Sequence, residues 1–288
     1  MDAVPHDLRP LFDEVVVALT NAGVPDPRVD AELLVGHVLQ LSRGGVHAAL
    51  VTGRTVTDDE RIALERVVAR RVTREPLQHI TGRAPFRSLD LAVGPGVFVP
   101  RPETELLAGI AIDALLAVAN DAPIAVDLGT GSGAIAIALA TEVPHAQVFA
   151  VEVSPEAHEW AARNIAEQRA SVSLVLGDLA TALPELDGAV SVVASNPPYV
   201  PTDAVPRDPE VRGFDPALAL YGGEDGLDIV RSLSGRALRL LHPGGLLAIE
   251  HGELQGGAIR ALLVGDGWRS PETQPDLLGR DRFTLARR

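Results

Sequence analysis

The sequence contains no cysteine and no lysine. Without cysteine the chain can form no disulfide, hold no metal through a thiolate and use no thiol as a nucleophile. Without lysine it can form no Schiff base and has no side-chain amine as a general base, since all 25 basic residues are arginine. Because histidines also do not occur in pairs at zinc-like spacing, we expect no metal site.

Long apolar runs are missing as well. No stretch reaches the roughly 18 apolar residues that a membrane span needs, and the N-terminal MDAVPHDLRP has no basic segment followed by an apolar core. Hydrophobic residues make up 46% of the 288 residues and charged residues 22%. These numbers predict a soluble globular protein of one large or two ordinary domains with no membrane partner. The absence of cysteine is compatible with the cytoplasmic location that we expect.

Positive charge is scarce, because the formal net charge is −14. A protein that binds duplex nucleic acid usually carries a basic surface, so direct binding to duplex DNA is not expected. Residues 61–101 differ, with eight arginines against three carboxylates, a local net charge of +5 that leaves −19 for the rest. Such a stripe is most often a solvated helix face; the alternative is a docking surface for an acidic or RNA-associated protein.

Three regions of different pattern follow one another. Residues 1–75 read as short helices and predict a small helical domain. In residues 76–101 glycines and prolines interrupt short apolar pieces, which predicts a β-hairpin or linker. From 102 to 288 helical and strand patterns alternate, which is typical of an α/β domain with a parallel sheet and crossover helices.

Local patterns predict individual elements within these regions. Thr57 followed by Glu60 predicts a capping box, and Asp26–Pro27 predicts an N-cap with a first-turn proline. The predicted strands are 124–128, 147–153, 172–176, 189–195, 245–250 and 282–285. The predicted helices of the last region are about 132–142, 155–168, 225–241 and 253–265.

The most informative residues are Asn196-Pro197-Pro198-Tyr199, which follow the apolar run 189–195. The two prolines end the strand and fix the backbone at its C-terminal edge, where ligands bind in open α/β sheets. The amide oxygen of Asn196, the next carbonyl and the tyrosine ring suit a planar NH2 group. Accepting both hydrogens leaves the nitrogen free to attack an electrophile. The alternative is a proline-rich turn that only leaves the sheet.

A glycine-rich loop follows the first strand of the predicted sheet. It reads DLGTGSG over 127–133, and its glycines let backbone N–H groups approach a ligand at a helix N-terminus. Glu152 ends the next strand, where a carboxylate can accept both ribose hydroxyls. Asp178 and Leu179 end the third strand, where they could meet an adenine. The pattern predicts a nucleotide-type cofactor.

The glycine loop alone leaves a dehydrogenase open, because Gly129, Gly131 and Ala134 also satisfy the loose dinucleotide-binding pattern. Two features argue against that reading. Asp127 beside the ligand as an anion suits an ammonium or sulfonium group better than a pyrophosphate. The NPPY segment has no role in hydride transfer.

Taken in order, the glycine loop, Glu152, the GDL at 177–179 and the SNPPY at 195–199 resemble class I methyltransferases that methylate a planar nitrogen. Further segments resemble the peptide chain release factor glutamine methyltransferases, the HemK or PrmC family. They are PLQHITG at 76–82, VPRPETE at 99–105, GGEDGLD at 222–228 and DLLGRDR at 276–282. The resemblance covers nearly the whole chain and is weakest before Glu75. Glu152 stands where members usually have aspartate.

The resemblance implies an α/β fold of the class I S-adenosylmethionine-dependent methyltransferases. This is a Rossmann-like seven-stranded sheet with an antiparallel last strand. It also implies a helical substrate-recognition domain over 1–75, a β-hairpin linker over 76–101 and a methyltransferase domain over 102–288. The implied cofactor is S-adenosylmethionine, which leaves as S-adenosylhomocysteine. The implied partners are class 1 release factors of translation termination, methylated on the side-chain nitrogen (N5) of the glutamine in their Gly-Gly-Gln motif.

The resemblance also assigns roles to residues. The implied cofactor-binding residues are Gly129, Thr130, Gly131, Ser132, Gly133, Glu152, Asp178, Leu179 and Asn196. The implied substrate-binding residues are Asn196, Pro197, Pro198 and Tyr199, of which Asn196, Pro197 and Tyr199 are catalytic. We expect His79 and His251, which lie near these motifs, to be structural.

Other functions stay open at this point. A related enzyme could methylate a glutamine of a ribosomal protein. An adenine-N6 DNA methyltransferase also carries NPPY, but the acidic balance and the 3% aromatic content argue against it, since it needs phosphate contacts and a pocket for a flipped base. A binding module without activity is the third alternative, against which the intact Asn196 and Tyr199 argue.

Overall fold

The computed structural model describes residues 6–288 and divides into two compact units. One unit runs to Gly82 and also contains Arg207–Phe214; the other consists of Arg83–Pro206 and Asp215–Arg288. The domain boundaries predicted at 75 and 101 stay a prediction. Within the described residues, no helix combines the length and apolar character of a membrane span.

The smaller unit is helical, and two short strands pair antiparallel within it. Its elements up to Gly82 are β1 (His6–Asp7), α1 (Leu8–Asn21), α2 (Pro27–Leu39), α3 (Arg43–Thr52), β2 (Thr55–Val56), α4 (Asp58–Val72) and α5 (Leu77–Thr81). Its core is formed by apolar side chains at helical spacing, among them the buried Phe12, Leu19, Leu34 and Leu64. The predicted helical character of this region is therefore what the chain adopts.

Two helix starts were predicted in this unit, the capping box of α4 and the N-cap of α2, and the expected side-chain hydrogen bonds form only in α4. The capping box is confirmed, because the Thr57 hydroxyl accepts from Glu60 N (3.2 Å) and the Glu60 carboxylate accepts from Thr57 N (2.8 Å). Asp26 occupies the N-cap position of α2, but its side chain makes no capping hydrogen bond. Its ψ of 66° lies outside the extended range that aims an N-cap side chain at the first turn.

The arginines of α4 are largely engaged in ion pairs. Arg71 is 5% exposed and pairs with Asp30 at 2.6 Å and with Glu210 at 2.9 Å. Arg74 also pairs with Glu210, at 2.7 Å. Burial opposes the ionisation of Glu210, yet the hydrogen bonds from these arginines hold its pKa below the usual value. Part of the predicted basic stripe is thus an internal link to the inserted segment 207–214.

The larger unit begins with an antiparallel hairpin and continues as alternating strands and helices. Its elements are β3 (Arg83–Phe86), β4 (Leu89–Ala92), α6 (Pro102–Leu116), β5 (Ile124–Leu128), α7 (Ala134–Glu142), β6 (Gln147–Glu152), α8 (Pro155–Gln168), β7 (Val172–Leu176), β8 (Val190–Ser195), α10 (Ala217–Leu220), α11 (Asp228–Leu240), β9 (Leu241–Glu250), α12 (Gly256–Gly265), β10 (Arg269–Pro275) and β11 (Asp281–Arg287). Helix α9 (Pro209–Phe214) lies between β8 and α10 in the chain and belongs to the smaller unit.

Seven of these strands form one sheet in the order β10-β11-β9-β8-β5-β6-β7. Strands β5 to β9 pair in parallel, whereas β11 is antiparallel to both neighbours. This is the predicted class I methyltransferase fold, with its antiparallel last strand. The edge strand β10 and the helix α6 were not predicted. Strand β10 is largely exposed and its residues are mostly polar, so it has no apolar run that would indicate a strand.

Both faces of the sheet are covered by helices. Alternate residues of the central strands belong to two separate apolar clusters: Ala125 and Ala248 to one with α6 and α7, Val126 and Leu247 to the other with α11. Strands buried on both faces read as continuous apolar runs, which is why the sequence located them well. The polar residues that end these strands gather at one edge of the sheet.

We predict that Arg71→Met lowers the free energy of unfolding by about 3 to 5 kcal/mol, because the charge of Asp30 would lose its ion-pair partner and Glu210 would keep only its pair with Arg74. The matched control is Arg66→Met. Arg66 lies on the same helix, is exposed and forms no ion pair among the described residues, so a change within about 0.5 kcal/mol is expected. Urea unfolding followed by circular dichroism measures both. Equal effects in the two variants would contradict the buried role of Arg71.

Candidate active site

The predicted site residues lie at the carboxyl edge of the parallel strands. The glycine loop follows β5, Glu152 ends β6, the 177–179 segment follows β7 and Asn196 follows β8. Because β8, β5, β6 and β7 are consecutive neighbours in the sheet, the four strand ends lie side by side. Ligands bind at this edge in open α/β sheets.

The glycine loop between β5 and α7 uses three left-handed residues. Gly129, Gly131 and Gly133 have φ values of +78°, +58° and +85°, a region that residues with a side chain rarely adopt. A Cβ built on Gly129 or Gly131 meets no heavy atom within 4 Å, whereas one on Gly133 lies 3.1 Å from Ile137. The first two glycines therefore leave open space above the backbone, and the third serves close packing.

Asp127 holds this loop through hydrogen bonds from Thr130 and Ala136, and its expected place beside a ligand stays a prediction. It is fully buried, and its Oδ2 accepts from the Thr130 hydroxyl (2.6 Å) and from Ala136 N (3.2 Å). Burial raises the pKa of this carboxyl to about 7, against the lowering effect of these hydrogen bonds. Its Oδ1 has no hydrogen-bond partner within residues 6–288, which leaves one acceptor available.

Glu152 ties the glycine loop to the next strand end. Its Oε2 accepts from Gly131 N at 2.8 Å, while its Oε1 accepts from Val153 N at 2.9 Å and Ser154 N at 2.8 Å. A carboxylate has about four lone-pair sites, so three backbone contacts leave about one. Its expected contact with both ribose hydroxyls stays a prediction.

The segment after β7 is more open. Asp178 is exposed and its Oδ1 accepts from Ala180 N at 2.9 Å, while Leu179 is partly buried against the core that α11 covers. Gly177 N donates to the carbonyl of Glu152 at 2.8 Å, which joins this segment to the end of β6. Asp178 and Leu179 are thus close to Glu152 along the sheet edge, as their proposed contact with one cofactor requires.

Asn196 is the first residue after β8 and is held from behind by a chain of hydrogen bonds. Its Nδ2 donates to Thr104 Oγ1 at 3.1 Å, and Thr104 Oγ1 donates to Glu250 Oε2 at 2.8 Å. Pro197 is buried, while Pro198 and Tyr199 are half-buried. Burial, followed by the charge of Glu250, raises the pKa of Tyr199 to about 12, so the phenol stays protonated and cannot act as a base near neutral pH.

The backbone of this loop is clamped by two further segments. Gln255 donates from Nε2 to the Tyr199 carbonyl at 2.9 Å and accepts from Gly252 N at 2.9 Å. On the other side, Cβ atoms at Gly222 and Gly226 would lie 2.5 Å from the Pro198 carbonyl oxygen and 2.3 Å from that of Tyr199. The glycines of the GGEDGLD segment therefore permit a close backbone approach that fixes the NPPY loop.

The sequence did not point to Thr104, Glu250 and Gln255 as members of this site. Thr104 was noted only within VPRPETE, and Glu250 only as the end of a predicted strand. The signal that could have found Glu250 is a carboxylate at the end of an apolar strand, but using it requires the strand order. His251, in contrast, is fully buried between the Gly252 carbonyl and the Thr284 hydroxyl, and His79 is buried as well.

Among the described residues no group of three or more histidine or acidic side chains could hold a metal ion. The backbone at Gly129 and Gly131, which a Cβ would cover, can receive an extended cofactor that carries a positive charge. This geometry fits S-adenosylmethionine.

Comparison with known proteins agrees with this geometry. Residues 11–82 match the family model described as the PrmC N-terminal domain, and residues 125–207 match a methyltransferase domain. The release factor glutamine methyltransferase of Streptomyces coelicolor is 52% identical over 273 residues, which cover 94% of each chain. This chain belongs to the release factor glutamine methyltransferase family. It is therefore an enzyme of the methyltransferase class, and family and fold together imply the use of S-adenosylmethionine.

A second curated relative and a solved structure are also similar to this chain. The 4-amino-L-phenylalanine/4-methylamino-L-phenylalanine methyltransferase of Streptomyces pristinaespiralis is 38% identical, covering 96% of this chain and 94% of its own. A methyltransferase structure from Pyrococcus furiosus aligns with a TM-score of 0.50 at 24% identity, covering 70% of this chain and 89% of that one. The structural similarity supports the fold. The Streptomyces pristinaespiralis enzyme, named for a small aromatic amine, raises the question of which molecule accepts the methyl group.

We predict that Gly131→Val lowers the affinity for S-adenosylmethionine at least about a hundredfold, a loss of roughly 3 kcal/mol, because a side chain would fill the space above the loop. Gly53→Val is the matched control. Gly53 also has a positive φ, +69°, and open space around its Cβ position, but it ends α3 in the helical unit. Calorimetric titration measures both variants. Wild-type affinity in Gly131→Val would refute the role of the loop.

Proposed function

We propose that this enzyme transfers the methyl group of S-adenosylmethionine to the side-chain nitrogen (N5) of the glutamine in the Gly-Gly-Gln motif of class 1 release factors. The observation that carries the proposal is the orientation of Asn196, whose NH2 group is engaged by Thr104 at 3.1 Å. Its oxygen is thereby left to accept from a planar NH2 group. The family of the chain points to glutamine as the bearer of that group.

The chemical problem is that an amide nitrogen is a poor nucleophile, because its lone pair is delocalised into the carbonyl. In the proposed mechanism the Asn196 oxygen and the Pro197 carbonyl accept the two N–H groups of the substrate amide. These contacts raise electron density on nitrogen and stabilise the positive charge that develops during attack. The cofactor supplies an electrophilic methyl group in line with the nitrogen.

Tyr199 would pack on the plane of the substrate amide and orient it. Its backbone is fixed by Gln255 and by the glycines at 222 and 226, so the ring has a defined starting position. Well-oriented reactants gain effective molarities of roughly 10⁵ M or more. Positioning can therefore provide most of the acceleration without a strong general base, and the proton leaves with or after transfer.

We assign cofactor binding to the backbone of residues 129–133, with Glu152, Asp178, Leu179 and Asn196 along the same edge. Glu152 would use its remaining lone pair on a ribose hydroxyl, and Asp178 and Leu179 would face the adenine. Asp127 supports the loop and offers its second oxygen to a positive group. The order of the strand ends and the open space above Gly129 and Gly131 support these assignments.

The helical unit is proposed to recognise the protein substrate, and the enzyme to act in the cytoplasm, where release factors meet the ribosome. Among the arginines of α4, Arg66 is exposed and forms no ion pair within residues 6–288, whereas exposed Arg70 would have to exchange its pair with Glu75 to dock. Arg71 is excluded from docking, because it is buried and paired with Asp30 and Glu210. A charge reversal at Arg71 would therefore report on folding, whereas Arg70 and Arg66 can report on docking.

A second candidate substrate is a small aromatic amine. The relative that is named for 4-amino-L-phenylalanine shares 38% identity over nearly the whole chain, and an aniline NH2 group is planar enough to meet the same two acceptors. The greater identity to the release factor enzyme, 52%, favours the glutamine substrate.

The deciding experiment is transfer of labelled methyl from S-adenosylmethionine to several acceptors side by side. They are a purified class 1 release factor, its Gly-Gly-Gln variant with alanine for glutamine, ribosomal proteins, 4-amino-L-phenylalanine and duplex DNA. Label on the release factor that is absent from the variant supports the proposal. Label only on another acceptor would replace the proposed substrate by that one.

We predict that Asn196→Ala lowers kcat by about 10² to 10³, the effect of removing one preorganised polar contact from a developing charge, while affinity for S-adenosylmethionine falls less. Asn120→Ala is the control, since Asn120 lies in the exposed turn before β5, at the opposite end of that strand. Steady-state methyl transfer and calorimetry measure the two effects. Near-normal turnover by Asn196→Ala would refute the assigned role.

A further inference from the structure

Three side chains from separate elements form a chain of hydrogen bonds behind the proposed acceptor oxygen, and two of them, Thr104 and Glu250, are buried. Asn196 follows β8, Thr104 lies in the first turn of α6 and Glu250 ends β9. Thr104 is 4% exposed and Glu250 is 2% exposed. The two distances, 3.1 Å from Asn196 to Thr104 and 2.8 Å from Thr104 to Glu250, are those of ordinary hydrogen bonds.

The direction of these bonds follows from the last member of the chain. An ionised carboxylate only accepts hydrogen bonds, so the single hydroxyl proton of Thr104 must point to Glu250. The Thr104 oxygen can then only accept, and it must receive its bond from a donor. Asn196 has one donor group, its NH2, which is therefore turned toward Thr104 and toward the Glu250 carboxylate, which also accepts from it. The amide oxygen of Asn196 faces the opposite way.

We propose that Thr104 and Glu250 are positioning residues that fix the Asn196 amide with its oxygen toward the substrate NH2 group. The inference rests on the proposed function, because it concerns the acceptor that the reaction needs. An amide has nearly the same shape in both orientations. Packing alone therefore does not distinguish them, and the hydrogen-bond chain does.

The reversed orientation would be harmful at both ends. The amide oxygen would meet the Thr104 oxygen, two acceptors without a proton between them, while the NH2 group of Asn196 would meet the NH2 group of the substrate. Leaving a buried polar atom unpaired typically shifts an equilibrium by roughly one to two orders of magnitude. Loss of the chain should therefore allow a large nonproductive population without preventing folding.

The charge on Glu250 is itself sensitive to pH. Burial raises the pKa of its carboxyl to about 7, opposed by hydrogen bonds from Thr104 and Asn196 and by the charge of Arg282, and raised further by Glu103. Tyr199 faces it from the NPPY loop and His251 follows it in the chain. A protonated Glu250 can donate to Thr104, which reverses the chain and turns the Asn196 oxygen inward. Activity should therefore fall as the pH drops through the pKa of Glu250.

Substitutions at Thr104 test the inference most directly. Thr104→Val keeps the shape and removes the hydroxyl, and a reduction of the single-turnover rate of about 10- to 100-fold is expected. Thr104→Ser keeps the hydroxyl and should remain within about threefold of wild type. Both variants should bind S-adenosylmethionine with wild-type affinity in calorimetry, and circular dichroism verifies that both are folded.

The pH profile provides a readout that a purely structural role would not change. In wild type the single-turnover rate should rise from about pH 6 to 8. Glu250→Gln should be slow and should show a flatter profile than wild type, because an amide does not titrate and can present either a donor or an acceptor to Thr104, whereas Asp127, whose pKa burial also raises to about 7, still titrates in the variant. A pH-rate profile that is the same in wild type and Glu250→Gln would overturn the role of the carboxylate.

The outcomes separate this inference from the proposed function. The variants are compared on whichever NH2 acceptor wild type methylates, so a wild type that acts on 4-amino-L-phenylalanine and not on release factor refutes only the proposed substrate. Wild-type rates in Thr104→Val, or equal losses in Thr104→Val and Thr104→Ser, would overturn the positioning role on any acceptor. A wild type that methylates none of them would overturn both.

Discussion

Hydrogen bonds to buried carboxylates at the ends of parallel strands hold the loops of this active site in place. Asp127 at β5 holds the glycine loop through Thr130, and Glu152 at β6 joins that loop to the following one. Glu250 at β9 holds Asn196 through Thr104. Loops at a sheet edge carry few apolar contacts of their own. Charged acceptors give them stronger and more directional bonds than neutral groups would.

The same carboxylates set the electrostatic character of the edge. Desolvation disfavours the charged form of a buried acid, and at Asp127 and Glu250 it outweighs the hydrogen bonds that these groups accept. A positive charge placed near these strand-end acids would favour their ionised form and would itself be stabilised by it. A sulfonium cofactor and a substrate nitrogen that becomes positive during transfer both provide such a charge.

Much of the fold could be predicted because the physical signal was local. The runs at 124–128 and 172–176 have the predicted bounds, and helix α8 begins at Pro155 as its N-cap and proline indicate. Strand β10 could not be predicted, since an exposed edge strand of polar residues and two prolines has no apolar periodicity. Helix α6 was also missed, although Pro102 opens it, because its apolar residues occur on nearly every side.

For the site, the sequence by itself determined the chemistry: an amide and two prolines after an apolar strand, a glycine loop with left-handed residues, and acids at strand ends. These features are local, so residue order alone encodes them. Only the tertiary structure decided which of them meet. Strand order puts β9 beside β8, and helix α6 packs against one face of both strands. Glu250 and Thr104, which are 54 and 92 residues from Asn196 in sequence, thereby reach its amide. The burial that raises the pKa of Glu250 and the contacts that orient Asn196 arise from that packing, because neither exists until distant elements exclude water from the same space.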